Sequence, residues 1–219
     1  MTYKELKRRV LAFLQDPSYE DSGLYSGEIL IKLNKGINQV AKEILLNDLF
    51  ANDTVTTSTS EGKVAVPANY SKHLTKCFSA AQEQEVEIIK SFPAFVDRYG
   101  YKIIDESYEG NIVHVCVLQN NIYYQPIPTS ADTLTLYYYR KPTDMAADTD
   151  EPDGIPDESQ DDLLVSFACK EIYGDMIEDG IEGARANFDF FNAKFENAKA
   201  DLISNNAIQH EVKRRSVRA

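Results

Sequence analysis

Residues 144–162, DMAADTDEPDGIPDESQDD, hold nine carboxylates and no basic side chain. Carboxylates at that density can bind a hard cation, work as an acid–base pair, or form a hydrated joint. A calcium loop of the EF-hand kind takes ligands from its first, third and fifth positions, a glycine at the sixth and a glutamate at the twelfth. Asp148, Asp150, Asp153 and Gly154 miss that register by one residue, and Ser159 stands where the glutamate belongs. A glycosidase pair needs one acid in a dry pocket with a raised pKa, which loop aspartates among many like charges do not announce. A solvated joint, stiffened by Pro152 and Pro156, is the expectation.

Other reactive side chains are scattered. His114 and Cys116 alternate on one strand and share a face, but a metal site needs two further ligands. His73, His210, Cys77 and Cys169 form no local cluster with them. A satisfied core histidine is the simpler reading. GxSxG, Walker and GxGxxG motifs are absent. Tyr123-Tyr124 and Tyr137-Tyr138-Tyr139 have the rings to stack on a sugar, although tyrosines on alternating strands more often serve cores and interfaces. The expectation is no catalytic, cofactor-binding or metal residue, and a protein that binds other proteins.

The totals agree. With 219 residues, a net charge of −12 and a pI near 4.7, the chain would on balance repel a phosphate backbone. Its three separated cysteines suit a reducing compartment. Its N-terminus, with charges threaded through the apolar positions, is not expected to be a signal peptide. No apolar run reaches the roughly 20 residues of a membrane span.

Leu6, Val10, Phe13 and Leu14 share a helical face that Asp16-Pro17 ends. A second helix is expected from about Ser26, a plausible N-cap, to Phe50, with Ile29, Leu30, Leu33, Ile37, Val40, Ile44, Leu45 and Leu49 in its stripe. Gly36 weakens it unless a close neighbour needs the space. At Asn52 the period changes. TVTTST and KVAVP flank Ser60-Glu61-Gly62 as a hairpin would. HLTKCFSAA, NIVHVCVLQ, IYYQP and TLTLYYYR are further strands, NIVHVCVLQ apolar on both faces. Asp157 and Gln160 have the spacing of a capping pair. Leu163, Leu164, Phe167, Ala168, Ile172 and Met176 form the next helical stripe, and Phe188, Phe191, Phe195, Ala198 and Leu202 a heptad-like seam.

The order predicts an α+β fold. N- and C-terminal helices (residues 1–52 and 143–210) form a helical bundle, residues 53–142 an inserted, mainly antiparallel β block, and residues 211–219 a basic tail.

The segments LIKLNKGINQVAKEILLNDLF, VPANYSKHLTKC and LTLYYYRKPTDM…IPDESQDDLLVSFACKEIYGD together resemble tailed-bacteriophage head–tail adaptor proteins, the head-to-tail connectors of the portal-adaptor ring. Ile37-Asn38 matches the helical pattern, and Tyr138, Arg140, Pro142, Ile155 and Pro156 match the strand–loop–helix junction. The resemblance implies a virion structural protein at the head–tail interface, assembled in the host cytoplasm, with no catalytic residue. It implies a ring of about twelve copies below the portal. Its partners would be portal protein, neighbouring adaptor subunits and a downstream tail or neck protein. DNA would pass through the channel without specific binding, and no membrane is involved. It places the C-terminal end at the portal, so Lys213, Arg214, Arg215 and Arg218 are the expected residues for docking portal or a neighbouring subunit. Two other classes differ in what they require: a β-sandwich accessory or receptor- or glycan-binding virion protein needs an exposed aromatic platform, and a hydrolase needs a pocket with a perturbed carboxylate.

Overall fold

Thr2 opens the first helix. Its hydroxyl accepts from Glu5 N at 3.4 Å while the Glu5 carboxylate accepts from Thr2 N at 2.9 Å, a reciprocal capping box, and α1 (Tyr3–Phe13) follows. The computed structural model describes residues 1–14, 26–103 and 107–216, with all their side chains except Ser26 and residues 206–216. The expected Ser26 cap and the Asp16-Pro17 stop therefore lie outside the described residues.

The chain divides into two units, Met1–Leu49 with Pro142–Ala219, and Phe50–Lys141. The first is helical. In α2 (Ser26–Glu43), Ile29, Leu33, Ile37 and Val40 are fully buried, as the spacing predicts. This helix is shorter than its apolar pattern suggests. It gives way to a 3-10 turn, Asn47–Leu49, and Phe50 begins a strand. Leu49 stays buried as expected, but once the α-helix ends it is Leu46 that turns inward, and Leu45, expected in the stripe, is exposed. Gly36 is explained by its neighbour: a β-carbon there would lie 2.8 Å from Phe167 Cδ1.

From the end of the acidic stretch, α4 (Asp157–Gln160), a π-helical turn (Asp161–Val165) and α5 (Ser166–Glu178) run on without a break. Residues 163–169 are buried on every side, because α1, α2 and the last helix, α6 (Ala184–Ser216), all pack on this segment. From α6 the seam residues Phe191, Phe195 and Leu202 are buried, with Phe195 edge-on to Phe167 at 5.2 Å.

Among its described residues the second unit holds a short helix, α3 (Phe92–Tyr99), and eight strands: β1 (Phe50–Thr56), β2 (Lys63–Ala65), β3 (Tyr70–Ser79), β4 (Gln84–Glu85), β5 (Glu87–Ile88), β6 (His114–Leu118), β7 (Asn121–Gln125) and β8 (Thr133–Arg140). They form two four-stranded sheets, ordered β1-β8-β3-β4 and β2-β7-β6-β5. Pairing is antiparallel except between β5 and β6.

The hairpin expected about Ser60-Glu61-Gly62 does not form. β1 pairs with β8 and β2 with β7, in different sheets. The connection folds instead over the hydroxyl of fully buried Tyr124, which accepts from Ser58 N and donates to Glu61 O, each at 2.7 Å. The β6–β7 hairpin does form, with Leu118 opposite Asn121 and Gln119 at φ 54° in the turn.

Leu134, Leu136, Tyr138 and Cys77 from one sheet meet Val115, Ile122 and Tyr124 from the other in a common core. Cys116, on the reverse face of β6, packs on Phe95 and Tyr99 of α3. β6 is thus covered on both sides, as its apolar alternation predicts.

Candidate functional site

Most carboxylate-bearing residues of the acidic stretch are exposed, while its backbone is tied into the helical unit. Asp150 O accepts from Tyr3 N at 2.7 Å and Asp148 O from Lys4 N at 3.1 Å, satisfying N–H groups that the first turn of α1 leaves without partners. The Asp150 carboxylate accepts from Ala147 N and Ala146 N, each at 2.8 Å, and these bonds hold its pKa below the usual range. Asp153 accepts from Thr143 N at 2.7 Å. Asn34 of α2 donates to Met145 O at 2.9 Å and accepts from Met145 N at 3.0 Å, and Asn38 donates to Asp144 at 2.9 Å. Gly154 sits at φ +77°, where a β-carbon would come within 2.6 Å of Leu49.

Asp157 and Gln160 do not cap the helix as a pair, since Pro156 is the N-cap residue. Buried Gln160 instead donates to Ile155 O and to Asp157, each at 2.9 Å, and accepts from the Met1 amine at 2.7 Å. Asp161 pairs with Arg9 of α1, and Asp162 with Lys194 of α6 at 2.8 Å. Asp150 and Asp153 act as backbone acceptors, and Asp161 and Asp162 as helix-to-helix ties. Among the described residues, no group of three or more His, Cys, Asp or Glu is arranged to hold a metal.

His114 is a satisfied core histidine. Nδ1 meets the Tyr99 hydroxyl and Nε2 lies 3.1 Å from Glu87 Oε2, with the ring buried. Cys77, Cys116 and Cys169 are free and buried, and burial pushes the thiols of Cys77 and Cys169 up to about 12. Such thiols are poor nucleophiles.

The outward face of the β1-β8-β3-β4 sheet carries a different chemistry. Leu134, Leu136 and Tyr138 point into the core, so Thr133, Thr135, Tyr137 and Tyr139 point out. Register sets Phe50, Asn52, Thr54 and Thr56 beside them on β1, and Lys72, Lys76 and Phe78 on β3. Phe50 stacks on Tyr137 at 6.2 Å and meets Tyr139 edge-on at 5.4 Å, while Phe78 meets Tyr137 edge-on at 5.9 Å. Phe50 is 45% exposed, Phe78 and Tyr137 are half-buried, and Tyr139 is buried. Sequence alternation points to the tyrosines of this row. Phe50 and Phe78 join it only through pairing register, which the chain's order does not display.

α6 continues to Ser216, so the backbones of Lys213, Arg214 and Arg215 lie on this helix. Their side chains, and Arg218 altogether, lie outside the described residues. In the comparisons with known proteins, a family model described as SU10 adaptor protein matches residues 1–218. No curated protein matches the chain.

Proposed function

Since the chain belongs to the SU10 adaptor protein family, a family of phage structural adaptors and not an enzyme class, we propose that it forms a ring below the portal that joins head to tail and extends the DNA channel. The whole-chain family match carries this reading, because it embraces the helical unit and the β block together. About twelve copies would close the ring, each offering two different faces to its neighbours. The acidity fits: a wall of like charge repels the DNA backbone and lets it slide. Lys213, Arg214, Arg215 and Arg218 dock portal or a neighbouring subunit, each exposed pair contributing about 1 kcal/mol or less, with repetition around the ring supplying the rest.

Co-expression with the portal protein of the same phage tests this. Electron microscopy should show a ring on the portal, and deleting everything after Glu211 should leave a folded subunit whose attachment weakens most at high salt. A stable closed dimer that ignores portal refutes the assignment. Unchanged co-sedimentation of the truncated chain across a salt series refutes the role of the tail. The outward aromatic row of the β block, with Phe50 exposed, favours one second reading, a glycan- or receptor-binding virion protein, which a glycan array would reveal.

A further inference from the structure

We propose that Asp53 guards the free edge of β1, and that the strand it turns away is β1 of a second copy of this chain. The inference stands apart from the ring reading above. Among the described residues, β1 lies at the end of its sheet order and pairs with β8 alone. Its seven residues match β8 in unbroken register, without a bulge. It contains no proline, lysine or arginine, and Asp53 is its one charged residue. A long, regular edge strand of that composition is a ready template for another strand.

The ladder fixes which backbone groups are on offer. Thr57 N donates to Asp132 O at 2.9 Å, so Val55, Asp53 and Ala51, at alternate positions, direct their N–H and C=O groups toward β8. Ala80 N donates to Thr133 O at 2.9 Å on the other side of β8, which sets the same alternation independently. Phe50, Asn52, Thr54 and Thr56 therefore turn theirs to the open edge, and all four residues are exposed.

Asp53 interferes at the centre of that row. Its Oδ1 accepts from Thr54 N at 2.8 Å, and so occupies a donor that an added strand requires. By alternation the side chain belongs to the core-facing side of the sheet with Val55, opposite Leu136. An inward charge of this kind blunts an edge. Self-pairing meets both obstacles together. Two β1 strands set antiparallel about a two-fold axis match all their residues in one register, Phe50 against Thr56. That register puts Asp53 directly opposite Asp53, where like charges destabilise a pair, and it calls on the Thr54 N–H of both copies. The guard thus keeps the subunit out of a closed, isologous dimer.

The test compares the full wild-type chain with Asp53→Ala by sedimentation equilibrium over a dilution series. The variant should keep the wild-type melting curve while its self-association constant rises at least tenfold. Residue-resolved amide exchange locates the contact: the N–H groups of Asn52, Thr54 and Thr56 should exchange slowly in the concentrated variant and quickly in the dilute one. No rise in association, or a rise that leaves those amides fast, overturns the proposal. So does a wild-type chain that already pairs through them. Should Asp53→Ala melt early, Asp53→Asn decides, since it keeps an acceptor oxygen and removes only the charge. A severalfold rise, with the Asn52 and Thr56 amides slowed on concentration, supports the guard, and no rise overturns it.

Discussion

Replacing Gly36 with Ala should destabilise the protein, although helix propensity alone says the opposite. Removing a glycine from a helix interior gains about 1 kcal/mol. At Gly36, however, the added carbon would meet Phe167 Cδ1 at 2.8 Å and Cγ at 3.1 Å. Phe167 has no room to retreat. It is fully buried, edge-on to Phe195 at 5.2 Å, with the Lys170 ammonium 4.6 Å from its ring centre. Overpacking of such a core costs about 1–3 kcal/mol, so the net loss is roughly 0–2 kcal/mol, and each kcal/mol lowers Tm by about 2–4 °C in a protein of this size. Gly27 of the same helix is the control, since a β-carbon there meets nothing within 4 Å. Gly27→Ala should gain up to about 1 kcal/mol, less for its place in the first turn. Thermal melts of both variants, with Gly36→Ala/Phe167→Leu as the relief variant, measure the difference. If Gly36→Ala raises Tm as much as Gly27→Ala does, the close approach of α2 and α5 is wrong.

All three thiols should resist an aromatic disulfide reagent at pH 8 in the native protein and react fully in denaturant; one fast stoichiometric reaction would show that a cysteine described as buried is open. Asp150 has its folded pKa lowered, so its contribution is present above about pH 4, the unfolded value, and is lost as pH falls through the folded one. Asp150→Asn, which keeps an acceptor oxygen and loses the charge, should therefore melt below wild type at pH 7 and converge with it in acid. A gap that stays constant with pH would contradict this.

Much of the architecture is local and so can be read along the chain. The alternation of NIVHVCVLQ and TLTLYYYR marks strands covered on one or both faces, and the three-and-four spacing of α2 and α6 marks the sides that turn inward. Gly36 is an anomaly in the sequence that a contact then explains. What could not be read is non-local. TVTTST and KVAVP lie close in sequence and look like a hairpin, yet each finds its partner more than 50 residues away, because Tyr124 supplies the connection with a buried hydroxyl. The acidic stretch shows its charges but hides its main work, which backbone carbonyls at Asp148 and Asp150 perform for α1. The outward aromatic row depends on Phe50 and Phe78 falling into register with Tyr139 and Thr135, and register is invisible until strands pair.

The position of β8 has a consequence for synthesis on the ribosome. Last of the eight strands to be made, it lies between β1 and β3 and joins them. Until it emerges, β3 has only the two residues of β4 and β1 has no partner at all. Residue 133 follows residue 56 by almost 80 positions, which at about 5–20 residues per second is a delay on the order of 4–15 s. During that interval β1 is an open template for any passing strand. The sheet therefore completes in one late event, and a chain released before residue 133 lacks the strand around which it forms. Only a nearly finished β block can acquire the outward face at all.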